Sequence, residues 1–271
     1  MASRIHSSAI VDAKAELGQD VEIGPYAVVE GPCRIGDGCR IHAHAQIKKL
    51  TYMGKENIVH SFACVGGEPQ DLKYDGSDTT LELGDRNTIR EFATLNRGSE
   101  EKRTIVGSDC LFMAYSHVAH DCHLGDKVIL ANSGTLAGHV HVGSHVVIGG
   151  LAAVHQFVHL GNFAFVGGLT GVAQDIPPFM LCAGSRAKLR GLNLVGLRRA
   201  GFSGETITIL KRAYRILWSS DLGRAEALSR IEAEFPANES LQMLVAFVRY
   251  HKAHRQDRDR GSHELRGKLY V

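Results

Sequence analysis

A six-residue clock governs this chain. From Ile5, every sixth position is apolar: Ile5, Val11, Leu17, Ile23, Val29, Ile35, Ile41, Ile47, Met53, Val59 and Val65. The register breaks over Glu68 to Thr80, returns at Leu83, Ile89 and Leu95, and breaks again near Gly98 to Thr104. It then runs unbroken through Val106, Phe112, Val118, Leu124, Leu130, Leu136, Val142, Ile148, Val154, Leu160, Val166 and Val172. Neither a helix of period 3.6 nor a strand of period 2 produces this spacing. A fixed internal period demands a repeat architecture.

A second clock runs four residues after each apolar one, where small residues recur: Ala9, Ala15, Ala27, Cys33, Cys39, Ala45, Cys110, Ser116, Cys122, Gly134 and Ala152. Glycine often follows the apolar residue directly, as at Gly18, Gly36, Gly107, Gly125, Gly143 and Gly149. The expected role of these glycines is to supply positive φ or to fit crowded corners. Short strands then form flat sides, with aliphatics pointing inward. The pattern resembles the hexapeptide-repeat β-helix, mainly β, with 18 residues per coil. That resemblance implies a left-handed parallel coil, which periodicity alone does not decide and which departs from the usual right-handed crossover. Each coil would bury about three large aliphatics, each contributing roughly 1.5–3 kcal/mol before entropy.

The same clock assigns the cysteines. Cys33, Cys39, Cys110 and Cys122 fill the small position, so packing rather than thiol chemistry is expected of them. No CxxC pair suggests a zinc ribbon or a redox dithiol. The two register breaks, containing GGEPQDLKYDGSDTT and NRGSEEKRT, are expected to be loops expelled at corners and to carry function. After Val172 the repeat fades, and Pro177 and Pro178 are expected to block further ladder bonding. From about Gly191 the pattern turns helical. Ser203 is an expected N-cap, with Glu205 in the first turn. Apolar stripes follow at Ile207, Leu210, Tyr214 and Leu217, then at Leu222, Ala225, Leu228, Ile231 and Phe235, then at Leu241, Leu244 and Val248. The expected division is a β-helix over 1–190 and a small C-terminal α-helical domain over 191–271. From Arg190 to Val271, fifteen Lys/Arg face nine Asp/Glu, which fits either a solvated helical surface or a dock for an acidic partner.

The formal charge of +2 gives no reason to expect a nucleic-acid partner. No apolar run is long enough to predict a membrane span, and the N-terminus lacks a signal-like stretch, so a cytoplasmic protein is expected. Histidine is abundant, at 15 residues, and concentrates from His117 to His159. Coil arithmetic places His120, His139 and His155 near one edge on successive coils, neighbours lying roughly 5 Å apart. The other histidines fit a solvated surface.

The segments QDLKYDG (70–76), GDRNTIRE (84–91), AHDC (119–122), LANSGTLAGHV (130–140), AVHQF (153–157) and GVAQDIPP (171–178) give the chain its resemblance to the UDP-N-acetylglucosamine O-acyltransferase family of lipid A biosynthesis. The resemblance covers nearly the whole chain. It implies transfer of a 3-hydroxyacyl group from acyl carrier protein to the 3-OH of UDP-N-acetylglucosamine. It also implies His120 as general base, Asp121 as its adjacent partner and the Gly138 N–H as oxyanion donor. Asp71, Lys73, His117 and His139 would surround the sugar and its phosphates, and His155, Gln156, Asn193 and Arg199 the nucleotide and diphosphate. Phe165 and Gly168 would line the acyl groove, Gly168 leaving it open for a long chain similar to 3-hydroxymyristoyl.

Three positions depart from the family pattern: Asn96 stands where many relatives carry histidine, Arg186 stands where some place a histidine near the nucleotide, and Ala200 follows Arg199 where a second arginine is common. The family is homotrimeric, with sites between subunits, and the resemblance implies neither metal nor cofactor. Three alternatives remain. One is a zinc-dependent β-helix enzyme of γ-carbonic-anhydrase type, using His117, His120 or His139. The second is the related N-acyltransferase, which usually carries another N-terminal domain. The third is a non-enzymatic structural coil.

Overall fold

The computed structural model describes residues 3–236 and 238–253, with the side chains of 251–253 excluded. Among the described residues, twenty-eight short strands form three sheets, of 11, 9 and 8 strands. Through Gly171–Val172, consecutive strands pass from the first face to the second to the third, each pairing in parallel with the strand one coil away. The architecture is a left-handed parallel β-helix with helices at its C-terminal end.

The inward aliphatics form columns. Val118 pairs with Leu136 and Leu136 with Val154, so these residues stack directly. Phe112, Leu130, Leu136 and Ile148 are fully buried, as are the cysteines at the small position. Burial pushes the Cys122 thiol up to about 12, which removes its reactivity near neutral pH.

Of the two roles expected of the glycines after the aliphatics, the structure shows mainly the crowded corner and not positive φ. Positive φ falls three residues after most inward aliphatics and is adopted mainly by bulky residues, among them Phe62, Phe92, Asp121 and His139. Left-handed backbone is costly for such residues, at about 1–2 kcal/mol each. It persists because the next coil closes a hydrogen bond there, as from His139 N–H to the His120 carbonyl at 3.1 Å. Glycine one residue after the aliphatic serves close approach instead. A Cβ on Gly149 would stand 2.5 Å from the backbone N of Gly168.

Pro177 and Pro178 do not end the coil, contrary to expectation. They sit at a corner, and strand Met180–Ala183 continues the first face by pairing with Phe165–Val166. Strand Lys188–Leu192 then turns back antiparallel. Among the described residues four helices follow: α1 (Leu194–Arg199), α2 (Gly204–Trp218), α3 (Arg224–Glu234) and α4 (Glu239–Ala253). Ser203 caps α2, its hydroxyl accepting from Thr206 N–H at 3.1 Å. Ile207, Leu210 and Leu217 are buried as their spacing predicts. In α3 the inward residue is Ala227; Ala225 is exposed.

The two insertions leave from the same corner. Val65 to Leu83 and Leu95 to Val106 both connect the second face to the third, and both take more than the usual six residues. The neighbouring coils nonetheless keep register, with Met53 paired to Leu83 and Leu83 to Val106.

Gly149→Ala is expected to lower stability by about 1–3 kcal/mol, because the coil above cannot move away without breaking register. Equilibrium denaturant unfolding, read as the midpoint at constant m-value, measures the loss.

Candidate active site

The edge between the second and third faces gathers most of the expected site. Reading along it, successive coils present the first insertion, the second insertion, His120–Asp121, Gly138–His139 and His155–Gln156. His120 lies over Gly138, which lies over Gln156, while Asp121, His139 and Phe157 form the adjacent column.

Asp121 is the centre of this group. Its side chain is fully buried and accepts from Ser99 N–H at 2.8 Å and Glu101 N–H at 3.2 Å. His120 Nδ1 contacts its other oxygen at 2.9 Å. Burial raises the Asp121 carboxyl, but the bonds from His120 and Ser99 and the nearby imidazoles outweigh it and hold it below the ordinary range. His120 moves oppositely. Its bond to Asp121 raises it, burial opposes, and the charges of Asp121, Asp71 and Glu100 add to the rise.

Gly138 is shaped by His120. A Cβ at 138 would stand 2.5 Å from His120 Cε1 and 2.6 Å from Nε2, so any other residue displaces the ring. The Gly138 N–H has no acceptor among the described residues.

His139 is buried, its ring edge-on to His120 at 5.2 Å and stacked on Phe157 at 4.6 Å. His117, from the second face, bonds Thr94 Oγ1 at 2.7 Å. Burial, then the charge of His120, lowers its basicity. Asp71 accepts from Ser99 Oγ at 2.8 Å and Lys73 N–H at 3.0 Å. Burial raises Asp71, but these bonds and the charges of His120 and Lys73 leave it lowered. Lys73 Nζ pairs with Glu100 at 3.2 Å. His120, Asp121 and His139 also offer ligand atoms within 4.8 Å of one another, a spacing that can hold a metal ion.

Other expected residues stand apart. His155 is exposed, its Nδ1 3.1 Å from the Gln156 carbonyl, so it shares the edge but not the His120–His139 cluster. Asn193 is buried as the N-cap of α1, accepting from Gly196 N–H and donating to the Phe163 carbonyl, both at 3.0 Å. Arg199 is exposed in the last turn of α1. Phe165 and Gly168 lie on the first face and at its corner with the second, a different edge of the prism from His120.

Sequence reasoning missed the second insertion's direct contacts through Ser99, Glu100 and Glu101, and the buried Arg97. The Arg97 guanidinium ties the insertions together, reaching Glu68 and Tyr74 OH at 3.1 Å each. Asn96 bonds the Glu68 carbonyl at 2.7 Å, while its Oδ1 has no hydrogen-bond partner among the described residues. The strict histidine column is also not the expected one. It is His123, His141 and His159 on the third face, stacked at 4.8 and 4.4 Å and lining a groove of about 690 Å³ beneath α4. Their exact 18-residue spacing was the available signal.

Comparison with known proteins supplies the family. Residues 14–49 match the bacterial transferase hexapeptide (six repeats) model, and residues 175–261 match domain 2 of UDP-N-acetylglucosamine O-acyltransferase. The chain is 48% identical to the acyl-[acyl-carrier-protein]–UDP-N-acetylglucosamine O-acyltransferase of Thermodesulfovibrio yellowstonii, over 92% of this chain and 98% of that one. It is 43% identical to the enzyme of that name from Paraburkholderia xenovorans, covering 91% and 96%. The structure matches UDP-N-acetylglucosamine acyltransferase from Bacteroides fragilis with a TM-score of 0.88 at 37% identity, covering 90% and 96%. It matches that from Campylobacter jejuni with a TM-score of 0.85 at 40% identity, covering 90% and 95%. An acyltransferase by this evidence, the chain belongs to the acyl-[acyl-carrier-protein]–UDP-N-acetylglucosamine O-acyltransferase family.

Proposed function

We propose that this chain transfers a (3R)-3-hydroxyacyl group from acyl carrier protein to the 3-OH of UDP-N-acetylglucosamine, the first step of lipid A biosynthesis. The observation that carries the reading is the His120–Asp121 pair at 2.9 Å, set against a glycine that no larger residue can replace without displacing the ring. His120 Nδ1–H donates to Asp121, leaving Nε2 to remove the sugar hydroxyl proton. The sugar oxygen attacks the thioester carbonyl carbon, and the Gly138 N–H meets the oxyanion. The C–S bond then breaks, and the carrier thiol leaves with the proton from His120.

Asp71, Lys73, His117 and His139 surround the sugar and its phosphates in this reading, and His155, Gln156, Asn193 and Arg199 serve the nucleotide. The Asn193 side chain already caps α1, so its part is to hold the α1 terminus near the nucleotide. Gly168, with Phe165, leaves space for a long acyl chain. The enzyme works in the cytoplasm as a homotrimer. Among the described residues, no helix is long and apolar enough to cross a membrane. Support for assembly comes from the Gly168 edge, where exposed Phe62, Phe92 and Tyr115 stack at 5.1 and 4.9 Å. A second copy that covers this ladder brings the acyl groove of one chain beside His120 of the next. The expected 190/191 division falls inside strand Lys188–Leu192, so the helical domain begins after that strand, and its basic surplus suits an acidic carrier.

The His120–Asp121–His139 group also favours a zinc reading. Metal analysis of protein purified without added zinc separates the two: stoichiometric zinc supports the metal enzyme, its absence from fully active protein the base mechanism.

His120→Ala is expected to lower kcat by about 10²–10⁴-fold while thermal stability and oligomeric state persist. In a competition assay with acyl carrier protein thioesters, 3-hydroxymyristoyl should outcompete 3-hydroxydecanoyl. The pH dependence follows from the raised basicity of His120. The base acts only when neutral, so kcat/KM should rise with pH through an apparent pKa above the ordinary histidine value of about 6.5. Asp121→Asn removes the charge that raises it, so the acidic limb should move to lower pH.

A further inference from the structure

We propose that Glu101, on the second insertion, is a positioning residue that fixes the ring of His139. This rests on the reading of His139 as a sugar-binding residue. Glu101 lies 38 positions from His139, yet its Oε1 meets His139 Nδ1 at 3.0 Å. A carboxylate only accepts, so Nδ1 carries the hydrogen and Nε2 is turned toward the Asp121 side of the site. Nε2 lies 3.6 Å from Asp121 Oδ2.

The ring contacts of His139 do not fix this orientation, and the carboxylates facing Nε2, Asp121 at 3.6 Å and Glu100 at 3.7 Å, lie beyond hydrogen-bond distance. Phe157 covers one face and the His120 ring meets it edge-on, but both contacts survive a half-turn of the imidazole that exchanges its ring nitrogens and carbons. The Glu101 carboxylate distinguishes the two orientations. Glu101 is itself anchored, because its N–H donates to the buried Asp121 at 3.2 Å. One buried carboxylate therefore holds His120 directly and His139 through Glu101. The insertion thus continues the catalytic pair outward to the substrate-facing imidazole.

Kinetics and ¹⁵N NMR on the full-length protein test this. Glu101→Ala should raise KM for UDP-N-acetylglucosamine about tenfold with kcat changed less than about threefold. Glu101→Gln, whose amide oxygen still accepts from Nδ1–H, should restore most of the loss. In a His139→Ala background, Glu101→Ala should add nothing, since the two residues act as one unit. An unchanged KM in Glu101→Ala, or effects that simply add, overturns the proposal. The ¹⁵N signature of His139 should report Nδ1–H in the wild type and a mixture in Glu101→Ala; the same tautomer in both also overturns it. If the wild type transfers no acyl group, the functional reading fails, while the NMR comparison still decides whether Glu101 orients the ring.

Discussion

Coil-to-coil register is the constraint on which everything else rests. Each short strand is bonded to the strands above and below, at a sheet spacing of about 4.8 Å, and no strand is long enough to stand alone. Six residues per side keep the aliphatics in columns. Residues beyond six cannot stay in the ladder, because a shift there would turn buried side chains to solvent. They must leave at a corner. Both insertions leave at the corner between the second and third faces, and the next coils place His120 and His139 at that corner. The site is thus where the repeat is relieved of its surplus residues.

Stacking also explains how bulky residues occupy left-handed corners. Phe62 and Phe92 stack on each other, His139 stacks on Phe157, and coil hydrogen bonds close the Asp121 and His139 corners, which lets them accept that backbone. Most glycines that directly follow an inward aliphatic, such as Gly36, Gly107 and Gly149, sit where two backbones nearly touch. At Gly138 the same close approach involves an imidazole instead of a backbone, so a packing rule of the coil has become a condition for the geometry of His120.

Electrostatically the site is organised around one buried carboxylate. Asp121 would not remain ionised at neutral pH in an apolar core, but two backbone N–H groups from the second insertion and one imidazole compensate its burial. The carboxylate in turn raises the basicity of His120. The insertion is therefore more than a cover: its backbone stabilises the charge, and its side chains reach Asp71, Lys73 and His139.

The sequence by itself determined the coil, its inward residues, the burial of its cysteines, the two corner loops and the helical end, because a six-residue clock leaves a chain few other ways to bury its aliphatics. Motif resemblance added His120, Gly138 and the family. Asp71 and His120 are 49 residues apart, and only register brings them near one another. The tertiary structure alone decided that both insertions share one corner, that Ser99, Glu100 and Glu101 reach the site, that Asn193 caps a helix, and that the strict imidazole column is His123, His141 and His159. It also separated the Gly168 edge from the His120 edge. Periodicity says which residues face inward; the direction of a loop with no period of its own is set by the hydrogen bonds it finds after the coil has closed.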